Sequence, residues 1–341
     1  MDRQYRGVIP VLAVVLLVVT LASIRWGAVP ISLDEMWSAL AKWFGGRDDV
    51  TLNERIFLEI RLPRAILTTF VGASLAIGGA LMQALFRNPI VEPGLVGTSS
   101  GAAFGASLYF VLGAALKLHL GEWTLPIAAC TGGALATWLV FYLSGAHVVG
   151  RSSVVSLLLT GIAINALFMS GVGFLSYIAR DPQARSITFW NLGTLSGASW
   201  RSVWIVGSST SLCLIAALRY ARPLNALMLG EEEASYLGVD VRKLKATVLL
   251  INVIIVAVAT AFTGVIAFVG LVVPHLLRML RGADNRFLLQ GGALLGAILL
   301  CLADMAARLL LSPAELPIGI VTSVVGVPVF IFLLRQRRYY F

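Results

Sequence analysis

Ten apolar runs, each of roughly 16 to 25 residues and closed by a polar or basic break or, at Gly264, by a tight turn, constrain this chain more than any motif in it. Roughly 20 residues of helix cross the ~30 Å hydrocarbon core of a bilayer. Hydrocarbon offers no partner to a bare peptide group, so a run of this kind forms a helix. The runs are 8–24, 61–85, 95–116, 123–144, 154–177, 202–219, 246–263, 265–280, 287–311 and 318–334. A hydrophobic share of 58% against 13% charged residues excludes an ordinary soluble domain. The expectation is an all-α, polytopic membrane protein with about ten transmembrane helices, residues 1–341 forming one transmembrane domain.

The charge balance then orients the chain. A net charge of +9 would point to nucleic acid in a soluble protein, but here the excess flanks the apolar runs. Placing both termini in the cytoplasm puts 15 of the 26 Lys and Arg on that side. No nucleic-acid partner is expected. Between the first two spans, Trp37, Leu40, Ala41 and Phe44 recur at helical spacing and predict a short interfacial helix. Gly101/Gly105 and Gly292/Gly296 are GxxxG pairs, which let helix backbones approach closely; packing within the chain is expected over a dimer seam.

The most ordered polar interval is Leu229 to Lys245, LGEEEASYLGVDVRKLK. Gly230 serves as an N-cap, and Glu231, Glu232 and Glu233 suit the positive end of a helix dipole. Ala234, Tyr236 and Leu237 continue the turn, Gly238 supplies a left-handed stop, and Asp240 caps the next helix. A solvated loop needs none of this ordering. A surface that presses on another protein does.

Other candidates carry less. Gly97-Thr98-Ser99-Ser100-Gly101 matches the GxSxG nucleophile elbow, which needs a strand-to-helix turn, yet this match opens a membrane run. His119, His147 and His275 lie in no metal-binding pattern, and Cys130, Cys213 and Cys301 lie far apart, so no metal site is expected. His275 follows Pro274 and reads as a structural residue of a kinked helix. Asp304 is the clearest acid within a span, and Arg308 four residues later is its expected partner. A secondary carrier would need such acids near mid-membrane, whereas Asp304 lies near one end. No GxxxxGK[ST] phosphate loop occurs, so no catalytic residue is expected; ATP and Mg belong to another chain.

RLPR at 61–64, RNPIVEPGLVGTSSGA from Arg87, LGEEEASYLGV from Leu229, AFVGLVVPHLLR from Ala267 and AELPIGIVTSVVGVPVF from Ala314 together resemble one family. It is the permease subunit of iron-siderophore, haem and cobalamin ATP-binding-cassette importers. The resemblance runs from Arg61 to the C-terminus. Within it, YIARDPQARSITFWNLGTLSGASW looks most like the haem permeases. It implies the type II importer permease fold, a homodimer, two ATPase subunits below and a periplasmic binding protein above, in the bacterial inner membrane. The cargo would be haem or a ferric chelate, moved by alternating access.

Carried over by motif, Gly230, Glu231, Glu232, Glu233, Ala234, Leu237 and Gly238 correspond to the coupling helix that sits in a groove of the ATPase. Ser152, Ser153, Val154, Val155 and Ser156 fall at the cytoplasmic gate, where cobalamin permeases have small hydroxyl residues in place of Val154 and Val155. Arg61, Arg64 and Arg308 match arginines that meet acids of the binding protein. Arg61 and Arg64 flank Pro63 at an expected helix N-terminus, where cations oppose the dipole and therefore ask for an external partner. Membrane lipid phosphates are the alternative partner. Arg180 and Arg185 could attract haem propionates or be solvated.

Overall fold

The computed structural model describes residues 7–27, 30–46, 49–115, 121, 123–145 and 154–335. Among them every regular element is a helix. Seven helices are long and apolar enough to cross a membrane: α1 (Val8–Arg25), the run Leu52–Leu85, α6 (Thr124–Leu143), α7 (Val154–Ile178), α9 (Trp200–Arg219), α12 (Val241–Thr263) and α14 (Asn285–Leu309). With α5 (Thr98–Ala115), α13 (Val269–Arg281) and α15 (Ile318–Arg335) they account for the ten apolar runs. Five short helices were not among those runs. They are α2 (Leu33–Phe44), α3 (Leu52–Ile56), α8 (Asp181–Asn191), α10 (Ala221–Leu229) and α11 (Glu231–Tyr236).

Helix α4 (Leu62–Leu85) is the hub, with 20 of its 24 residues buried, and it packs on α14, α12, α13 and α9. Its sequence explains the position. A stretch rich in Gly, Ala and Ser presents almost no side chain, so neighbouring backbones come close. A Cβ placed on Gly72 would lie 2.4 Å from the carbonyl oxygen of Gly296, and one on Gly296 equally close to that of Gly72. Gly101 and Gly105 contact the backbones of Gly132 and Ala128 on α6 in the same way. These glycines therefore serve packing within the chain. Gly292 does not, because nothing approaches its Cβ position closer than 3.9 Å.

The bundle has two functional ends. At one, α1 finishes, α4 starts and α14 finishes; at the other, α4 finishes and α14 starts, with α10 and α11 beside them. Trp26, Trp123 and Trp200 stand at helix ends on the first side, as amphipathic indoles do at a membrane–water boundary. The Trp43 ring at the end of α2 lies 5.3 Å from that of Trp200. Helix α2 turns Leu33, Trp37 and Phe44 outward, 61%, 76% and 85% exposed, which is the outward apolar stripe of an interfacial helix. Its polar side holds α3 through Ser38 and Lys42, which donate to Glu54 at 2.6 and 2.9 Å. Hydrogen bonds from the Asn53 amide and from Ser32 hold the Glu35 carboxyl, at the start of α2, below the usual carboxylate range.

The second span differs from its sequence reading. Pro63 does not mark a helix start, because helix already begins at Leu52 and continues through a π turn at Phe57–Arg61. The Leu62 N–H donates to the Phe57 carbonyl five residues back. That wider turn makes room for a proline ring that would otherwise strike the carbonyl of Glu59. Arg61 and Arg64 are thus within a continuous helical run, and the argument that they oppose a helix dipole does not hold.

The backbone contact at Gly72 yields the first prediction. Gly72→Val should lower the folded yield of the permease in detergent, with a cost of about 1–3 kcal/mol or more. Gly292→Ala, one turn along the same face of α14 as Gly296, should be near neutral. Gel filtration and thermal unfolding of the two variants side by side check this.

Candidate functional sites at the two ends of the bundle

At the first end the structure gathers three arginines around two acids. Asp304, 1% exposed, accepts from Arg64 Nε and Nη2 at 3.0 and 2.8 Å and from Arg308 Nε at 2.9 Å. Arg64 Nη1 reaches Glu315 at 2.9 Å. Arg308 also donates to the Ser23 carbonyl and hydroxyl and to the Trp26 carbonyl, each at 2.9 Å, and Arg61 donates to the same Trp26 carbonyl at 3.0 Å. The Asp304–Arg308 pair is the one expected from sequence. Arg64, 240 residues away from Asp304, is not, because only the α4–α14 packing brings it there.

All three guanidinium groups are largely buried, at 8%, 9% and 6% exposure for Arg61, Arg64 and Arg308. They are internal ligands of one ion cluster before they are anything else. Among the described residues the cluster holds three cations and two carboxylates, a surplus of one positive charge.

At the opposite end the Gly230–Lys245 interval folds as its sequence implies. Gly230 (φ +147°) precedes α11, and its three glutamates fill the first turn. Glu231 pairs with Lys245 of α12 at 2.8 Å. Gly238 stops the helix at φ +83°, with its N–H on the Ser235 carbonyl (2.9 Å) and that of Val239 on the Ala234 carbonyl (3.0 Å). That double bond pattern is a Schellman motif. Asp240 then caps α12 by accepting from the Lys243 N–H at 2.9 Å.

The side chains divide cleanly. Ala234 is fully buried and anchors α11 on its own chain, whereas Glu232, Glu233, Tyr236 and Leu237 are exposed. Ala234 thus holds the helix in place from its inner side. Tyr236 and Leu237, 88% and 64% exposed, stand as apolar side chains on the outer side of α11 and its stop. Helix α10 was missed from sequence. Its signal was present in Pro223 near an N-terminus and in the amphipathic pair Leu224 and Leu227, both fully buried.

Of the residues expected at the gate, three are described, and they open α7. Ser152 and Ser153 fall outside the described residues; Val154 begins α7, Val155 is exposed, and the Ser156 hydroxyl donates to the Ser144 carbonyl at 3.2 Å.

Midway between the ends lies a cavity of about 340 Å³, bordered by Leu75, Glu92, Ser99, Asn165, Asn191 and Phe268 among others. Leu75 and Asn165 are near the middle of α4 and α7, so Glu92, from the break between the second and third runs, is at mid-depth. The chain folds back into the bundle as a 3-10 turn at Pro93–Val96. Asn165 pins that turn, donating to the Gly94 carbonyl at 3.1 Å and accepting from Ser100 at 2.5 Å. The Glu92 carboxyl faces the backbone N–H of Phe268, which sits in the left-handed region at φ +68° ahead of α13. The mid-membrane acid that the sequence reading lacked is thus present, and it is engaged with backbone. Ser99 of the GxSxG match lies at the mouth of α5 in this cavity, with no strand behind it.

Comparison with known proteins decides the family. Residues 15–336 match the FecCD transport family. The chain belongs to the FecCD transport family. It is 42% identical over 338 residues to the hemin transport system permease HmuU of Yersinia pestis, covering 98% of this chain and 97% of that one. It is 39% identical over 308 residues to the vitamin B12 import permease BtuC of Shigella boydii, 89% of each chain. A metal-chelate type ABC transporter solved in an inward-facing conformation superposes with a TM-score of 0.84 at 31% identity, over 97% of this chain and 99% of its own. PsaBC from Streptococcus pneumoniae shares the fold at a TM-score of 0.54 and 18% identity. This FecCD protein is a multi-pass membrane permease subunit of an ABC importer.

The ion cluster gives a second prediction. Asp304→Ala removes the shared partner of two buried guanidinium groups and should cost about 3–5 kcal/mol. The midpoint of thermal unfolding in detergent should fall accordingly, and Asp304→Asn, which keeps an acceptor, should fall less.

Proposed function

We propose that this FecCD permease carries haem inward, as a homodimer worked by two ATPase subunits and loaded by a periplasmic binding protein. The permease itself performs no bond chemistry, and ATP and Mg are bound by the partner subunits. The reading is supported by 42% identity to a hemin permease along almost the whole chain. Arg180 and Arg185 are exposed around α8, at the arginine end, where haem propionates would arrive.

In this reading α11 is the coupling helix and its end of the bundle is cytoplasmic, as are both termini. The observation that carries it is the exposure of Tyr236 and Leu237 on a capped, anchored single turn. Apolar side chains on a rigid element are what a groove in a second protein binds. ATP-driven closure of the two ATPase subunits moves this element, and packed helices tilt as rigid bodies.

At the arginine end, the binding protein docks through acids that meet the surplus charge of the Arg61, Arg64 and Arg308 cluster. Because Arg64 and Arg308 already hold Asp304, reversing their charge would damage the fold together with docking. Arg61, which donates to the Trp26 backbone carbonyl, is the residue to probe at this end.

Leu237→Glu should weaken retention of the ATPase subunit at least about tenfold, equivalent to about 1.4 kcal/mol, in pull-down from detergent. Undiminished retention removes α11 from the coupling role. For the cargo, proteoliposomes with the ATPase and binding protein should accumulate haem in preference to a ferric siderophore or cobalamin. Siderophore uptake with no haem uptake overturns that part alone.

A further inference from the structure

Asn225 lies on α10, just ahead of α11, and faces the start of α14. Its Nδ2 donates to Asp284 Oδ2 at 2.9 Å, while its Oδ1 accepts from the backbone N–H of Asn285 at 2.9 Å and from Asn285 Nδ2 at 2.8 Å. Chemistry sets that orientation. A carboxylate only accepts and a backbone N–H only donates, so the Asn225 amide fits one way round. The other Asp284 oxygen caps α14, accepting from the Phe287 N–H at 3.0 Å. Asn285 is 2% exposed, so water does not stand in for Asn225 there. Asparagine combines a donor for Asp284 with an acceptor for Asn285 at a single reach; aspartate would set two carboxylates together, and alanine would leave a buried amide without its acceptor.

From this joint α14 runs for 25 residues, about 37 Å at 1.5 Å per residue. Its last turns carry Asp304 and Arg308, the heart of the arginine cluster. Midway, Gly296 rests on the backbone of Gly72, so α14 does not bend away from α4 by itself. One helix is therefore bonded at its start to the element that carries α11 and at its end to the cluster on the opposite side.

We infer that Asn225 is the positioning residue that joins the α10–α11 element to α14, so that α14 transmits displacement as a rod between the α11 surface and the arginine end. The inference rests on the reading of α11 as the ATPase contact. Asn225 touches neither nucleotide nor cargo in this scheme. It acts through Asp284 and Asn285 on the helix they begin.

The test uses the full complex in lipid nanodiscs, with ATP hydrolysis measured with and without the binding protein, and uptake per ATP measured in proteoliposomes. Asn225→Ala should retain the ATPase subunit and keep unstimulated hydrolysis within about twofold, while stimulation by the binding protein falls about fivefold or more. Asn225→Asp should lose stimulation as well. Combining Asn225→Asp with Asp284→Asn restores a donor facing an acceptor and should bring stimulation back to within about twofold of the parent. A purely structural role would lower yield, unstimulated hydrolysis and uptake together. Unchanged stimulation in the assembled Asn225→Ala complex overturns the inference, as does an exchanged pair that assembles without recovering. If Asn225→Ala lowers yield, the exchanged pair against Asn225→Asp decides. Leu237→Glu reports separately on α11: normal assembly of that variant refutes the contact reading, whereas loss of assembly leaves the Asn225 result to stand for the joint alone.

Discussion

The close approach of α4 to α14 is the contact on which the rest of the molecule depends. Lipid supplies no hydrophobic drive between helices, so their association relies on van der Waals contact and interhelical hydrogen bonds. Glycine at 72 and 296 lets two backbones meet without a side chain between them. That contact sets the depth of α14 relative to α4, and depth decides whether Arg64 meets Asp304. It also places the start of α14 beside α10. Both ends of the bundle are thereby registered against one seam.

The ion cluster at the arginine end is a consequence of that seam and a constraint on its use. Burying charge is expensive, and the attraction within a buried pair repays it only where hydrogen bonds satisfy the remaining donors. Here Arg308 spends four donor contacts, on Asp304, Ser23 and Trp26, and Arg64 bridges Asp304 and Glu315. A surface built this way is stiff. A partner that docks against it meets a preset arrangement of charge and loses little in ordering side chains. The same economy appears at α11, where a Schellman stop, a buried alanine and the Glu231–Lys245 pair hold one helical turn.

Much of this was legible in the residues. The ten runs became ten helices because hydrocarbon-length apolar segments have one way to satisfy their peptide groups. The caps at Gly230, Gly238 and Asp240 were legible because capping is local, set by a residue's own backbone freedom and a side chain three positions away. The Asp304–Arg308 pair is local for the same reason, being four residues apart on one helix face. What failed was also local in form but not in cause. Pro63 reads as a helix start, yet the chain opens a π turn before it and carries helix straight through. Glu92 lies in the break between the second and third runs, yet its segment folds back to the middle of the bundle.

The sequence by itself determined the class of the molecule, the order of its spans and the form of the short acidic helix, because each follows from hydration of the backbone or from hydrogen bonds within a few residues. Only the tertiary structure decided which charges pair internally. Arg64 on Asp304 and Asn225 on Asp284 join positions separated by 240 and 59 residues. Their distance in space depends on how far each helix slides along its neighbour. That displacement is set by the summed packing of small side chains along the seams, and no single residue type encodes it.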